Sequence, residues 1–270
     1  MKAILSGIGL GAVVVASMAW GEEAALPETA MQASVVILGE THDNPVHHAV
    51  QADWVEAIQP KAVVFEMLTA EQAAADTPGL RTDQVGLEAA LGWADSGWPE
   101  FAMYYPVFAA SDAAFYGAAV PRETVRAAFG GNVMALFGPG ADVYGLDRAL
   151  PEAQLSARLD LQFDAHCEAM PRDALGGMVD IQRLRDATLA QTVVQALEEV
   201  GSPVVVITGN GHARRDWGVP SYLSRVVPEV PVFVLGQSED GGMPEGGFDL
   251  VLDAPAVERP DPCEAFLNRE

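Results

Sequence analysis

Short runs of consecutive apolar residues, many of them β-branched, recur along the chain, and most end at a glycine or a polar residue. Runs of this length without polar alternation are typical of strands buried on both faces of a sheet. We predict strong strands at 34–38, 62–65, 204–207 and 232–235, and weaker ones at 142–146 and 249–252.

Helical patterns lie between these runs. Asn44 and the proline after it form a typical helix start, an N-cap followed by proline at the first helical position. The predicted buried face of this helix consists of Val46, Val50, Trp54 and Ile58. Further helices are predicted over 151–170, with its apolar stripe inward, and over 181–200. Strands that alternate with helices predict an α/β fold, a largely parallel β-sheet flanked by helices.

The segment 69–141 has a different pattern, rich in alanine, glycine and aromatic residues, with helical fragments and no clear strand. We predict a helical insertion near residues 69–141, over one end of the sheet. Its aromatic side chains most often serve as core packing at such density, and they could also wall a pocket for a flat apolar ligand. They are Trp93, Trp98, Phe101, Tyr104, Tyr105, Phe108, Phe115 and Tyr116.

The amino-acid composition argues against one class of binding partner, nucleic acids. The 270 residues include 38 acidic and only 15 basic ones, for a net charge of -23. A chain this acidic lacks the basic surface that binds a polyanion, so no nucleic-acid partner is expected. Half of the residues are apolar, which is enough to build a globular core.

The N-terminus has the pattern of a secretory signal peptide. A lysine at position 2 precedes an apolar stretch over 3–15, and small residues allow cleavage after Ala19. The apolar stretch is shorter than the roughly 20 residues that span a bilayer. We therefore predict a signal peptide over 1–19 and a single domain over 20–270, periplasmic or otherwise exported and soluble after cleavage.

The two cysteines are Cys167 and Cys263. In an exported chain two cysteines more often pair than remain free. A role as thiolate metal ligands is the weaker alternative, because no C-x-x-C spacing is present.

Chemistry-bearing residues follow three of the predicted strands. Glu40 and His42 come after the first strand, Glu66 after the second, and His212 after the strand at 204–207. Because ligands bind beyond the carboxyl ends of parallel strands, we expect these four side chains at one edge of the sheet. They could hold a divalent metal such as Zn²⁺ or Mn²⁺, and such a metal could activate water for hydrolysis. Alternatively, one imidazole could be an axial ligand of haem iron, or each histidine could serve only the local backbone.

The other histidines and the scarce arginines have two interpretations each. His47 and His48 are more often polar surface than ligands, and His166 is more often a core histidine. An arginine near the site could bind a ligand carboxylate bidentately, or it could pair with one of the abundant acids. The arginines concerned are Arg122, Arg185 and Arg214.

Three motifs together resemble a known family. They are V-I-L-G-E-T-H-D-N-P at 36–45, V-F-E-M at 64–67 and G-N-G-H-A-R at 209–214, and they include two Gly-x-x-His sequences. At these residues the chain resembles the ChaN-type haem-binding uptake proteins of the Tiki superfamily. The chain lacks the lipobox cysteine of the lipoprotein members, so the resemblance does not extend to a membrane anchor.

The resemblance implies an α/β fold, haem as cofactor and a link to haem or iron uptake. It also implies an outer-membrane haem receptor or transporter as partner, and leaves a homodimer open. The residues that would bind haem are His42, His212, Tyr104, Tyr105, Arg122, Arg185 and Arg214.

Other members of the superfamily are hydrolases, so the resemblance also implies an alternative. In a metal-dependent protease or esterase, the metal ligands would come from His42, His212, Glu40 and Glu66. One of the two glutamates, Glu40 or Glu66, would then act as general base. A binding protein is the leading prediction and an enzyme the alternative.

Overall fold

The computed structural model describes residues 26–264 and the short segment 14–16. The predicted signal peptide, 1–19, lies outside the described residues apart from that segment. The strands are β1 Val14–Ala16, β2 Val35–Glu40, β3 Ala62–Phe65, β4 Ala114–Gly117, β5 Val204–Gly209, β6 Val232–Glu239 and β7 Leu250–Ala254. The helices are α1 Glu28–Met31, α2 Pro45–Ile58, α3 Ala70–Ala74, α4 Gln84–Ala90, α5 Phe101–Ala109, α6 Arg122–Ala128, α7 Val133–Phe137, α8 Glu152–Ala165, α9 Gly176–Glu199, α10 Asn210–Ala213 and α11 Val219–Val226. Short 3₁₀ helices cover Pro78–Thr82, Trp93–Asp95 and Arg172–Leu175.

The strands form one sheet in the order β1-β7-β6-β2-β5-β3-β4, and every pair in it is parallel. Six strands come from residues 35–254, and the three-residue β1 extends the sheet beside β7. The central strand β2 pairs with β5 so that Glu40 is opposite Gly209. The predicted α/β fold with a parallel sheet is confirmed.

Both faces of the sheet are covered, as the unbroken apolar runs predict. On β2, Val35 and Ile37 belong to the core cluster under α9. Val36 and Leu38 belong to the opposite cluster, which also contains side chains of α2 and α5. Because every residue of β2 is fully buried, the strand gives the site a rigid base.

One predicted strand is wrong, and one strand is missing from the prediction. Residues 142–146 form turns, and Gly145 has a φ of 74°, which a strand does not accommodate. The strand missing from the prediction is β4, which pairs with β3 and forms one edge of the sheet. It lies inside the segment 69–141, for which the sequence predicts helices and no strand. Its side chains are only partly buried, so it lacks a continuous apolar run. A side chain at Gly117 would lie 2.1 Å from the Thr69 carbonyl oxygen, so this edge tolerates only glycine there.

The predicted faces of two helices also need correction. In α2, Val46 is exposed, whereas His47 and His48, predicted as polar surface, are completely buried. In α8, the buried positions are polar, Arg158 and Gln162, and the predicted apolar stripe lies largely outside the core. In α2 the buried histidines have hydrogen-bond partners, which an apolar pattern does not reveal.

The C-terminal part of α8 leads to the disulfide. The helix ends at Ala165, five residues before the predicted end, and His166 is half-buried instead of lying in the core. Cys167 and Cys263 form the predicted disulfide, which ties the C-terminal segment to the body of the domain. No helix within the described ranges is long and apolar enough to cross a membrane.

Candidate functional site

Glu40 and His42 form the first part of the site, at the end of β2. His42 Nδ1 donates a hydrogen bond of 2.7 Å to Glu40 Oε1. Burial alone would lower the pKa of His42, but the hydrogen bond to Glu40 and the negative charges of Glu66 and Glu40 together outweigh it, and the pKa is raised. The carboxylate is buried, whereas the side chain of His42 is 36% exposed. A buried acid therefore holds a partly exposed imidazole by one nitrogen.

His48 and Tyr104 are buried side chains that contact both Glu40 and His42. The Tyr104 hydroxyl donates to Glu40 Oε1 at 2.7 Å and lies 3.2 Å from the carbonyl oxygen of His42. His48 Nε2 donates to the same carbonyl at 2.9 Å, and its Nδ1 lies 3.3 Å from Glu40 Oε2. Burial and the nearby Glu40 raise the pKa of Tyr104, so its phenolate is disfavoured. We call Glu40, His42, His48 and Tyr104 the His42 cluster.

His47 has a separate, structural role. Its Nδ1 accepts a hydrogen bond from the Thr41 backbone N–H at 2.9 Å, and its Nε2 donates to the Ser238 carbonyl. Burial lowers its pKa, so the ring is neutral. His47 thus fixes the turn between β2 and α2 and has no nitrogen left for a ligand.

The second part of the site follows β3 and β5. The side-chain amide of Asn210 exchanges hydrogen bonds of 2.7 and 3.0 Å with the backbone of Gln237, which anchors the short α10. His212 in α10 donates from Nδ1 to Asp186 of α9 at 2.6 Å, and its Nε2 lies 3.5 Å from Glu66 Oε1. Burial alone would lower the pKa of His212, but its attraction to Glu66 and Asp186 raises it to about 9.

Glu66 is held as a carboxylate between the two parts. Its Oε2 accepts hydrogen bonds from the Thr208 hydroxyl at 2.6 Å and from the Gly209 N–H at 2.8 Å. Burial would raise its pKa, but the nearby His212 and His42 lower it. Gly209 also brings the parts close together, because a Cβ there would lie 2.9 Å from His42 Nε2.

A cleft of about 560 Å³ opens beside these residues. Glu66 and Met67 line it just after the end of β3, the loops around Trp98 and Val120 form its sides, and α9 adds Arg185 and Leu189. Trp98 connects the cleft to the His42 cluster, because its ring packs edge-on against His42 with 4.8 Å between the ring centroids. This volume lies within the range of about 300–1,000 Å³ that is usual for cofactor sites.

The predicted arginines and tyrosines separate into two groups. Arg122 and Arg185 line the cleft. Arg122 donates to the backbone carbonyls of Asp95 and Ser96, and no carboxylate within residues 26–264 pairs with either arginine. Arg122 is exposed and Arg185 is half-buried, so both cations are accessible from the cleft.

Two predicted ligands lie elsewhere. Arg214 pairs with Asp216 at 2.7 and 2.8 Å and stacks on Trp217, and it does not line the cleft. The Tyr105 hydroxyl donates to the Arg81 carbonyl. The chain thus already supplies a partner for each of these two groups.

Three important side chains were not in the predicted site. Asp186 lies in the middle of α9, and its signals in the sequence are an acidic residue within a largely apolar helix face and its place beside Arg185 in the family resemblance. His48 was assigned to the surface, although it stands six residues after His42 and one turn into a capped helix. Trp98 is one of many aromatic residues of the segment 69–141, and with the proline after it a supporting mark of the family resemblance.

Known proteins resemble this chain in sequence and in fold. A family model described as haem-binding uptake, Tiki superfamily, ChaN matches residues 26–223. The chain belongs to this family. The predicted resemblance to ChaN-type proteins is thereby confirmed.

The structural likeness agrees with the family. ChaN of Campylobacter jejuni, described for cofacial haem binding, superposes with a TM-score of 0.61 at 19% identity, covering 82% of this chain and 87% of that one. The type III effector HopBA1 gives a TM-score of 0.47 at 10% identity, with 84% and 90% covered. No curated protein matches the chain significantly. At 19% identity the ChaN structure supports the fold alone.

The predicted metal ligands of this ChaN-family protein meet at one edge of the sheet. Across the described part of the chain, however, no three His, Cys, Asp or Glu side chains are arranged to hold a metal ion. Glu40 and Asp186 each engage the Nδ1 of a histidine, and Glu66 engages backbone and hydroxyl donors. The metal-dependent hydrolase remains a prediction.

The raised pKa of His212 predicts a pH-dependent stability. Because the folded pKa is about 9, above the ordinary value of 6.5, the contribution of His212 is complete below about pH 6.5 and lost as the pH rises through 9. An Asp186→Asn variant should lower this pKa, as measured by NMR titration, and flatten the decline in unfolding free energy across that window. Asp180→Asn, on the same helix and half-exposed, is the matched control. An unchanged pKa in Asp186→Asn would contradict the assignment.

Proposed function

We propose that this protein binds haem in the cleft beside the His42 cluster, with His42 Nε2 as the axial ligand of the iron. The observation that carries the proposal is the geometry of His42. It is the one histidine of the cluster with an exposed side chain, and a buried carboxylate fixes its other ring nitrogen. Histidines that ligate metals almost always donate their second nitrogen to such a partner.

The cleft fits the rest of a haem group. Its apolar side chains, including Trp98, Val120 and Leu189, offer a surface for a flat porphyrin. Arg122 and Arg185 have no carboxylate of the described chain as partner, so they would pair with the two propionates. Haem would supply the iron, and the chain would supply the ligand, the apolar walls and the two cations.

The other predicted axial ligands are less suitable. The hydroxyl of Tyr104 is buried, it donates to Glu40, and its raised pKa disfavours the phenolate that binds iron. His212 is buried, and its two ring nitrogens face the carboxylates of Glu66 and Asp186. Both side chains are buried, so neither offers an exposed donor atom.

A haemin titration of the cleaved protein tests the proposal. We expect a saturable shift of the Soret band with a defined stoichiometry. A shift no larger than that given by an unrelated acidic protein would exclude haem binding.

Gly209 offers a subtler test of the same geometry. An added Cβ at Gly209 would lie 2.9 Å from His42 Nε2, so Gly209→Ala should displace the imidazole and weaken haem binding by about tenfold. The backbone φ of -64° accepts alanine, so the melting temperature should change little. Gly211→Ala is the matched control, because no atom lies within 4 Å of the added Cβ. Equal affinities of the two variants would contradict the placement of His42.

We propose further that the protein is exported and works in haem or iron uptake, receiving haem from an outer-membrane receptor or transporter. The family, the signal-peptide pattern and the disulfide support this, because disulfides persist mainly in oxidising compartments. Cell fractionation should place the mature chain, cleaved after Ala19, in the periplasm. Recovery of the uncleaved chain in the cytoplasm would contradict export.

A further inference from the structure

One side of the cleft is a single short loop, residues 95–98, which connects the 3₁₀ helix before it to α5. All four of its residues line the cleft. The N–H groups of Asp95 and Ser96 donate to carbonyls of the preceding turn, and the Trp98 N–H donates to the Ser96 hydroxyl. The loop's own donors therefore bond only to residues close to it in the chain.

Arg122, the first residue of α6, joins this loop to the other side of the cleft. Its Nη2 donates to the Ser96 carbonyl at 2.7 Å and to the Asp95 carbonyl at 3.3 Å. In the part of the chain that the structure describes, these are the only hydrogen bonds between loop 95–98 and residues after α5. Gly97 permits the close approach, because a Cβ there would lie 3.1 Å from Nη2.

The nitrogen that holds the loop is also the one that a bound carboxylate needs. A guanidinium binds a carboxylate through two parallel hydrogen bonds, either from Nη1 and Nη2 or from Nε and Nη2. Because Nη2 belongs to both pairs, a carboxylate bound in either way competes with the two backbone carbonyls. The carboxylate carries a full negative charge and is the stronger acceptor. A carboxylate that binds Arg122 therefore weakens the attachment of loop 95–98.

We propose that Arg122 is a latch on loop 95–98 that makes the cleft selective for ligands with a carboxylate. A ligand carboxylate exchanges with the two carbonyls and releases the loop, whereas the ester of the same ligand leaves the loop attached. Trp98 ends the loop and packs against His42, with 4.8 Å between the ring centroids, so the release is transmitted to His42. The inference rests on the proposed function in one respect, that the ligand brings its propionates into the cleft.

Hydrogen–deuterium exchange of the ligand-free protein tests the latch itself. In Arg122→Ala the backbone amides of residues 95–98 should exchange about tenfold faster than in the wild type, because two hydrogen bonds that hold the loop are lost. Arg126→Ala is the matched control, since Arg126 is an exposed arginine of the same helix that does not line the cleft. Its exchange should equal that of the wild type.

Iron-free protoporphyrin IX and its dimethyl ester test the selectivity without an iron ligand. The wild type should bind the acid at least about tenfold more tightly than the ester, and only the acid should speed the exchange of loop 95–98. Gly97→Ala keeps the cation but displaces Nη2 from the carbonyls, so it should bind the acid several-fold more tightly than the wild type. A simple ion pair without a latch predicts no such gain. Gly140→Ala is the matched control, because Gly140 has a φ of 86°, close to the 83° of Gly97, and no atom lies within 4 Å of the added Cβ.

The outcomes separate the two proposals. If the wild type binds neither haemin nor protoporphyrin IX, the proposed function fails and the selectivity with it. If haemin binds but the acid has no advantage over the ester, or Arg122→Ala exchanges like the wild type, this inference alone is overturned. If Gly97→Ala does not fold, the exchange of loop 95–98 in Arg122→Ala decides.

Discussion

A His42→Ala variant is expected to lose more than about 100-fold in affinity for ferric haem. Removal of a residue that hydrogen-bonds to a metal ligand typically lowers the affinity about 10–100-fold, so removal of the ligand itself should lower it more. The fold should persist, because the His42 side chain is partly exposed and Glu40 keeps its hydrogen bond from Tyr104. Haemin titration measures the loss, and added imidazole should restore part of the Soret shift.

His166→Ala is the control for this variant. His166 is half-buried at the end of α8 and does not line the cleft, so its replacement should leave the affinity unchanged. An affinity of His42→Ala within about threefold of the wild type would show that another residue binds the iron.

Replacing Phe108 by alanine should lower the unfolding free energy by about 3–5 kcal/mol. Phe108 is fully buried, and its ring stacks on Phe65 and Phe101 with centroid distances of 4.5 and 5.4 Å. It also contacts Trp93 and Phe115, so a truncation leaves a cavity lined by rigid rings that cannot close it. Urea denaturation followed by circular dichroism measures the change.

The matched control is Phe129→Ala, because Phe129 is 46% exposed and its loss should cost much less. The comparison also shows whether Phe108, in the aromatic segment 69–141, serves as core packing or as part of a wall of a ligand pocket. A loss below about 1 kcal/mol in Phe108→Ala would contradict its role as the centre of that core.

The position of the site can be predicted from the sequence, because the end of each apolar run marks the end of a buried strand. The apolar runs at 34–38, 62–65 and 204–207 become β2, β3 and β5, which are neighbours in the sheet. Glu40, Glu66 and the loop with His212 follow them directly. In a parallel sheet these ends must meet at one edge.

The side chains that support the site residues, Asp186 and His48, cannot be predicted in the same way. Asp186 reaches His212 from the middle of α9, and the packing of α9 across the sheet makes that contact. His48 is buried because the Gln51 side chain and a backbone carbonyl satisfy its ring nitrogens, which no apolar pattern encodes. The edge strand β4 was missed for a related reason, since its half-exposed residues lack a buried strand's pattern.

The most direct test of the central claim is a crystal structure of the haem complex, with the iron located by its anomalous scattering. We expect the iron within bonding distance of His42 Nε2, the porphyrin in the cleft, and the propionates beside Arg122 and Arg185. Iron bound by Tyr104 or His212, or haem bound outside the cleft, would contradict the account.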